Sequence, residues 1–125
     1  RFIISSIQFL AIGHGWECWN NFPYERERLI NLIDGSNVKH TVLLSGDRHR
    51  GGHYELKTKS NKIISEMTSS SLNVPYSNSE EPGPLRIGST YSKENYGVIQ
   101  LFESQDSISV MLKNIRGEVV NSFRL

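Results

Sequence analysis

The fold is decided by the stretch HTVLLSGDRH, which occupies residues 40–49. Its short apolar run predicts a strand from His40 to Leu44. Ser45 and Gly46 then end the strand, and charged residues follow at once. The stretch therefore predicts a strand whose carboxyl end carries an Asp, an Arg and a His, which are side chains able to bind ligands.

The residues upstream of this strand predict a strand, a helix and a parallel pairing. The run from Phe2 to Leu10 is rich in Ile and Phe and predicts a strand that is buried on both faces. Leu29, Ile30 and Ile33 form an apolar stripe at helical spacing, and Gly35 is a typical helix stop. A strand, a helix and a second strand in this order predict a βαβ unit, and so an α/β fold class.

The downstream half predicts antiparallel strands. Residues 54–58 and 62–67 predict a hairpin across the Ser60-Asn61 turn, and the Ser- and Pro-rich segment from Ser69 to Tyr91 predicts a long loop. The last part of the chain predicts an antiparallel meander of three strands, at residues 96–103, 107–114 and 118–123.

Composition and charge exclude several classes of protein. The 125 residues are 37% hydrophobic and 22% charged, with a net charge of +1. This is enough apolar surface for a core, and too little positive charge to drive binding to nucleic acid or to an anionic membrane. The single Cys18 excludes an internal disulfide, and the apolar start of the chain is too short to span a bilayer. We therefore expect neither nucleic-acid binding nor membrane insertion.

Asp47 and His49 are the candidate metal ligands. Side chains two residues apart in an extended segment point the same way, which would bring these two together and turn Arg48 away toward a salt bridge. A carboxylate beside a neutral imidazole is an ordinary ligand pair for a divalent metal. A turn-capping Asp beside a buried His is the alternative. His14 follows the first strand, and the loops after parallel strands open on one edge, so His14 is expected to approach the pair.

Motifs along nearly the whole chain resemble the alkaline phosphatase D (PhoD-like) family of the calcineurin-like metallophosphoesterases. The resemblance rests, in the family's order, on residues 5–8, His14, the Trp19-Asn20-Asn21-Phe22-Pro23 run with Glu25, Arg26, Arg28 and Leu29, residues 44–49, residues 66–73 and residues 94–99.

This resemblance implies a particular fold. It would be a four-layer α/β/β/α sandwich with a mixed sheet, one main helix and a terminal antiparallel meander. Residues 1–125 would form the carboxy-terminal part of a single domain, because the superfamily's early Asp-x-His, Gly-Asp and Gly-Asn-His motifs are absent. The amino-terminal half would then be missing, and with it half of the active site.

The resemblance also implies a function, the metal-dependent hydrolysis of phosphate mono- or diesters by a metal-activated water. Members carry Gly-Asp-x-His where the superfamily has Gly-His-x-His, so Asp47 and His49 carry over as metal ligands. His14 carries over with a catalytic role, either binding metal or protonating the leaving oxygen. The resemblance implies two or more divalent or trivalent metal ions, calcium with iron in family members and other divalent pairs in relatives, and a small phosphate ester as the partner. An exported or periplasmic location is compatible with the resemblance.

Two other functions remain open from the sequence. One is a metal-independent serine hydrolase that uses a serine of the 69–71 run, although a Gly-x-Ser-x-Gly elbow is absent. The other is a non-catalytic β-rich domain whose meander packs against a partner. For Trp16, Trp19 and Phe22 core packing is favoured over a pocket wall, and for His53 a surface or cross-strand position.

Overall fold

The computed structural model describes residues 1–76 and 80–125. In these ranges one α-helix, α1, covers Pro23–Gly35. The strands, in chain order, are β1 (Phe2–Ile4), β2 (Thr41–Ser45), β3 (Gly51–Lys57), β4 (Ile63–Thr68), β5 (Arg86–Tyr91), β6 (Asn95–Phe102), β7 (Ser107–Asn114) and β8 (Val119–Arg124).

The strands form two sheets. The larger sheet has five strands in the order β1-β2-β4-β3-β5, and the smaller one has three in the order β6-β7-β8. β1 and β4 both run parallel to β2, whereas β3 pairs antiparallel with β4 and β5. The smaller sheet is wholly antiparallel. The mixed α/β class, the parallel βαβ unit, the hairpin and the terminal meander are therefore confirmed.

Apolar residues on both faces of the larger sheet define three layers. On one face the buried residues include Leu43 and Ile64, with Ile33 from α1 packed among them. On the other face Val42 and Met67 pack against Val110 and Leu112 of the smaller sheet. Alternation along β2 therefore directs Val42 to one core and Leu43 to the other, which explains its near-continuous apolar sequence.

Gly51 lies where the two sheets touch. A Cβ at this position would overlap the fully buried side chain of Leu112 and lie 3.1 Å from Oδ1 of Asn95. The absence of a side chain at the start of β3 thus allows the close approach of the smaller sheet.

Two predicted elements were wrong in extent. The predicted first strand reaches only Ile4, and Ile4 is 82% exposed because β1 pairs with β2 alone among the described strands. The predicted long loop contains β5, since Arg86 and Ile87 find antiparallel partners in β3. Residues 77–79 of that loop lie outside the described residues.

Helix α1 begins with Pro23 in its first turn, where a missing N–H costs nothing, and with Glu25 near the positive end of the helix dipole. Asn20 and Asn21 lie in a preceding 3₁₀ turn, and Phe22 occupies the cap position. In the described part of the chain no helix is long and apolar enough to cross a membrane.

Candidate active site at the carboxyl edge of the parallel strands

Three loops meet at one edge of the larger sheet. They follow β1, β2 and β4, which run parallel and therefore end on the same side. The loop after β1 carries His14, the loop after β2 carries Asp47 and His49, and the loop after β4 carries residues 69–76. In open α/β sheets this edge is where ligands bind.

Asp47 and His49 are both exposed and line one cleft of about 330 Å³, whereas Arg48 is buried. Arg48 nevertheless lines the same cleft, whereas the sequence predicts that it turns away, and the backbone differs from the expected extended form. Both residues have positive φ, 65° for Asp47 and 56° for His49. Such a conformation costs energy for residues other than Gly and is concentrated at functional sites.

The ring of His49 is held in a metal-ready tautomer. Its Nδ1 lies 2.5 Å from the carbonyl oxygen of Val74, so Nδ1 carries the proton and donates it. The lone pair is then on Nε2. Metal-binding histidines are commonly oriented by such a bond from the other ring nitrogen. Asp47 and His49 are therefore residue types that suit a metal ion, and both line the same cleft.

His14 is arranged differently. Its Nδ1 accepts a hydrogen bond from the backbone N–H of Trp16 at 3.0 Å, which leaves the proton of the neutral ring on Nε2. That Nε2 is buried and has no hydrogen-bond partner among the described residues. Burial lowers the pKa of His14, the positive charge of Arg48 lowers it further, and Glu81 opposes both. A neutral ring with a free N–H suits hydrogen-bond donation better than metal ligation.

The expected three-residue convergence is not found. No group of three or more His, Cys, Asp or Glu side chains placed to hold a metal occurs in residues 1–76 and 80–125. Asp47 and His49 share the cleft, whereas His14 is not among its lining residues. The described residues thus supply two candidate ligands and one separate candidate donor.

Arg48 forms the predicted salt bridge. Its guanidinium pairs with the carboxylate of Glu81, which also lies 3.9 Å from Nη1 of Arg50. The Cζ atom of Arg48 lies 5.3 Å from the centre of the Trp16 ring. Arg48, which also lines the cleft, thus shares the carboxylate of Glu81 with Arg50, while its planar group supports an aromatic wall.

Glu66 of β4 connects the loops that follow β1 and β2. Its side chain is fully buried and accepts hydrogen bonds from the backbone N–H groups of Phe9 (2.8 Å) and Leu10 (2.5 Å). It also accepts the hydroxyl of Ser45 at 2.6 Å. Burial raises the pKa of Glu66, and these hydrogen bonds oppose that rise. The carboxylate therefore fixes the chain leading to His14 and the strand end leading to Asp47.

Asn95 supports the loop after β4. Its Nδ2 donates to the carbonyl oxygens of Ser70 (2.7 Å) and Lys93 (2.8 Å), and its Oδ1 accepts from Ser70 N at 2.9 Å. The hydroxyl of Ser70 in turn accepts the backbone N–H of His49 at 3.0 Å. A buried amide thus holds the segment on which His49 rests.

The aromatic and histidine predictions were partly wrong. Trp19 packs edge-on against Phe9 at 5.0 Å, as expected for the core. Trp16 does not pack in the core, because it is 52% exposed and lines the cleft. Phe22 is also outside the core, at 61% exposed. His53 is buried, stacked on Phe123 at 4.4 Å.

Sequence reasoning assigned no site role to Glu66, Tyr76 or Asn95. Glu66 carries a usable signal, since a lone carboxylate in an otherwise buried strand requires internal partners. Tyr76 lies in a loop without periodicity, so no sequence pattern predicts that it lines the cleft.

Comparison with known proteins gives the family. A model described as PhoD-like phosphatase matches residues 8–123. Alkaline phosphatase D of Bacillus subtilis (strain 168) is 33% identical over 55 residues, which are 41% of this chain and 9% of that protein. A solved structure described as "Structure of PhoD" has a TM-score of 0.66 at 17% identity, covering 99% of this chain and 28% of that chain.

These matches first define the class, a phosphatase family that shares this mixed α/β fold. The chain belongs to the PhoD-like phosphatase family. It spans less than a third of the length of the relatives it matches, 9% of the curated protein and 28% of the solved chain.

Proposed function

We propose that this chain takes part in the metal-dependent hydrolysis of phosphate mono- or diesters. The observation that carries the proposal is the Nδ1 bond of His49 to the Val74 carbonyl, which places the lone pair of the neutral ring on Nε2, in a cleft that Asp47 also lines. Membership of the PhoD-like phosphatase family supports the same chemistry.

Asp47 and His49 would hold a metal ion, with calcium and iron as the expected pair from the resemblance. Such an ion supplies a Lewis acid and lowers the pKa of a bound water. Carboxylate and imidazole ligands suit iron, and the carboxylate suits calcium. His14 would contribute a hydrogen bond through its Nε2–H instead of the expected proton transfer, because a neutral imidazole is too weak an acid to protonate a leaving oxygen and the lowered pKa of His14 disfavours the imidazolium.

We further propose that residues 1–125 form the carboxy-terminal part of one phosphatase domain, with a fourth, helical layer in the complete domain. Two ligands from one loop do not complete a two-metal centre, which takes groups from several strand ends. Further ligands would come from chain segments outside these residues.

The serine-hydrolase alternative gains no support from the described contacts. The hydroxyl of Ser70 accepts from the backbone of His49, and that of Ser71 accepts from Val74 N at 2.7 Å. The ring of His49 is directed to a carbonyl instead of a hydroxyl. The non-catalytic interaction domain is retained as the alternative outcome of the test below.

The test is hydrolysis of p-nitrophenyl phosphate and bis-p-nitrophenyl phosphate by the complete phosphatase domain that contains residues 1–125, with added Ca²⁺ and Fe³⁺ and with a chelator. Asp47→Asn and His49→Ala are compared with the matched variants Asp106→Asn and His40→Ala. Asp106, like Asp47, has a positive φ, and His40, like His49, is exposed.

We expect turnover that the chelator abolishes and that only the Asp47 and His49 variants lose. Turnover that survives the chelator, or that is equal in all variants, would contradict the proposal. A folded complete domain that binds metal without turnover would contradict the catalytic role and favour the interaction domain.

A further inference from the structure

The cleft that contains Asp47 and His49 has an aromatic end as well as an end with ionisable side chains. Its other lining residues are Trp16, Glu17, Arg48 and Tyr76. The rings of Trp16 and Tyr76 meet edge to face, with centres 6.3 Å apart. The volume of about 330 Å³ lies within the range of small-molecule sites, which typically combine aromatic walls with a few polar groups.

The two rings are exposed to the cleft instead of packed in a core. Trp16 is 52% exposed and Tyr76 is 47% exposed. Neither is needed to cover the sheet, because Trp19 packs against Phe9 on the core side. Both rings therefore retain free aromatic surface beside the candidate metal ligands.

The backbone of Tyr76 is fixed to the loop that carries the candidate ligands. The N–H of Tyr76 donates to the carbonyl oxygen of His49 at 2.8 Å, and its own carbonyl oxygen accepts from Nη2 of Arg50 at 3.2 Å. These two hydrogen bonds therefore fix the position of Tyr76 relative to the loop that carries His49.

Trp16 is fixed from two sides. Its backbone N–H donates to Nδ1 of His14, and the guanidinium of Arg48 lies against its ring. Because Glu81 pairs with Arg48, that guanidinium is held in place against the ring. Trp16 therefore presents an aromatic wall at low conformational cost on binding.

The charge at the rim limits what this wall can accept. Glu17 is exposed and lines the same cleft, and Asp47 adds a second carboxylate. Arg48 also lines the cleft, but it is already paired with Glu81, so the two exposed carboxylates disfavour an organic group with further negative charge, whereas an uncharged planar ring would stack on Trp16 or Tyr76.

We propose that Trp16 and Tyr76 form a subsite for the organic group of the substrate, and that this group is an uncharged planar aromatic ring. The inference rests on the proposed function, because Asp47 and His49 define the phosphate end of the cleft. It adds the substrate class, an aromatic phosphate ester in preference to an alkyl one.

The test uses two non-hydrolysable probes, phenylphosphonate and methylphosphonate, titrated by calorimetry into the chain loaded with Mn²⁺. Both carry the same anionic group, so the ratio of their affinities isolates the ring. Trp16→Ala and Tyr76→Ala are compared with Tyr24→Ala, a tyrosine on α1 that is 86% exposed and lies outside this cleft.

We expect phenylphosphonate to bind about five- to tenfold tighter than methylphosphonate, the range of one or two aromatic contacts. Trp16→Ala and Tyr76→Ala should each reduce that ratio toward one, Trp16→Phe should retain most of it, and Tyr24→Ala should leave it unchanged.

Three results would overturn the subsite. The unmodified chain could bind both probes equally, the affinity ratio could be unchanged in both alanine variants, or neither probe could bind. The proposed function has a separate readout, since chelator-sensitive hydrolysis that depends on Asp47 and His49 can succeed while the ratio stays at one. Loss of that hydrolysis with an intact ratio would overturn the proposed function and leave an aromatic-anion binding site.

Discussion

The hydroxyl of Ser45 donates a hydrogen bond of 2.6 Å to the carboxylate of the fully buried Glu66. Ser45 ends β2, two residues before Asp47, and Glu66 lies on the neighbouring β4. The same carboxylate accepts the N–H groups of Phe9 and Leu10, on the chain that leads to His14. One side chain therefore fixes the approach to both parts of the candidate site.

Glu66→Gln should lower the free energy of unfolding by about 1–3 kcal/mol, the cost of a buried donor without a partner. A glutamine has one acceptor oxygen, and its amide group cannot accept the N–H of Phe9 or Leu10. Urea unfolding measures the change. The control is Glu103→Gln, at an exposed position, which should stay within about 0.5 kcal/mol. Equal stability of the two variants would refute the role of Glu66.

Asn95→Ala should weaken both the fold and the His49 segment. The substitution leaves Ser70 N, Ser70 O and the Lys93 carbonyl without their side-chain partner. We expect a loss of about 1–3 kcal/mol in unfolding free energy. At a temperature where the variant is still folded, Mn²⁺ should also bind more weakly. Asn37→Ala, at an exposed position, serves as the control, and unchanged Mn²⁺ affinity in Asn95→Ala would show that the amide does not position His49.

Stability should fall as the pH drops below the ordinary imidazole pKa of about 6.5. Burial lowers the pKa of His53, while Glu55, whose Oε1 lies 3.3 Å from Nε2, partly opposes this. The unfolded chain therefore takes up a proton at higher pH than the folded one, so the stability that His53 contributes is present above about pH 6.5 and is lost as the pH falls through the folded pKa.

His53→Phe should reduce this pH dependence, because a phenyl ring can still stack on Phe123 without taking up a proton. Urea unfolding at about pH 7.5 and about pH 5.5 measures it. The matched variant His40→Phe, at an exposed histidine, should keep the full dependence. If the free energy of unfolding of His53→Phe depends on pH as strongly as that of the unmodified chain, His53 does not cause the pH dependence. His14 is then the next candidate, because its pKa is also lowered.

Local patterns were sufficient for most of the fold. The apolar run of β2, the helical stripe of α1 and the turns of the meander each depend on neighbouring residues, and each was confirmed in the structure. β5 was missed because its exposed, polar residues gain order only from pairing with β3, a long-range partner that no local pattern reveals.

The candidate site was predictable only in part. Asp47 and His49 follow a strand whose position the sequence reveals, so their common cleft was expected. His14 lies beside that cleft without lining it, since its ring accepts a hydrogen bond from the backbone of Trp16, which does line it. The contacts of Glu66 and Asn95 span more than 20 residues and required the folded structure.

The most direct test of the central claim is the Mn²⁺ affinity of the chain and four variants, measured by titration calorimetry. Asp47→Asn and His49→Ala should each bind at least about tenfold more weakly, since even the loss of a partner of a ligand commonly costs that much. Asp106→Asn and His40→Ala should match the unmodified chain. Equal affinities in all five proteins, or no binding by the unmodified chain, would contradict the assignment of Asp47 and His49 as metal ligands.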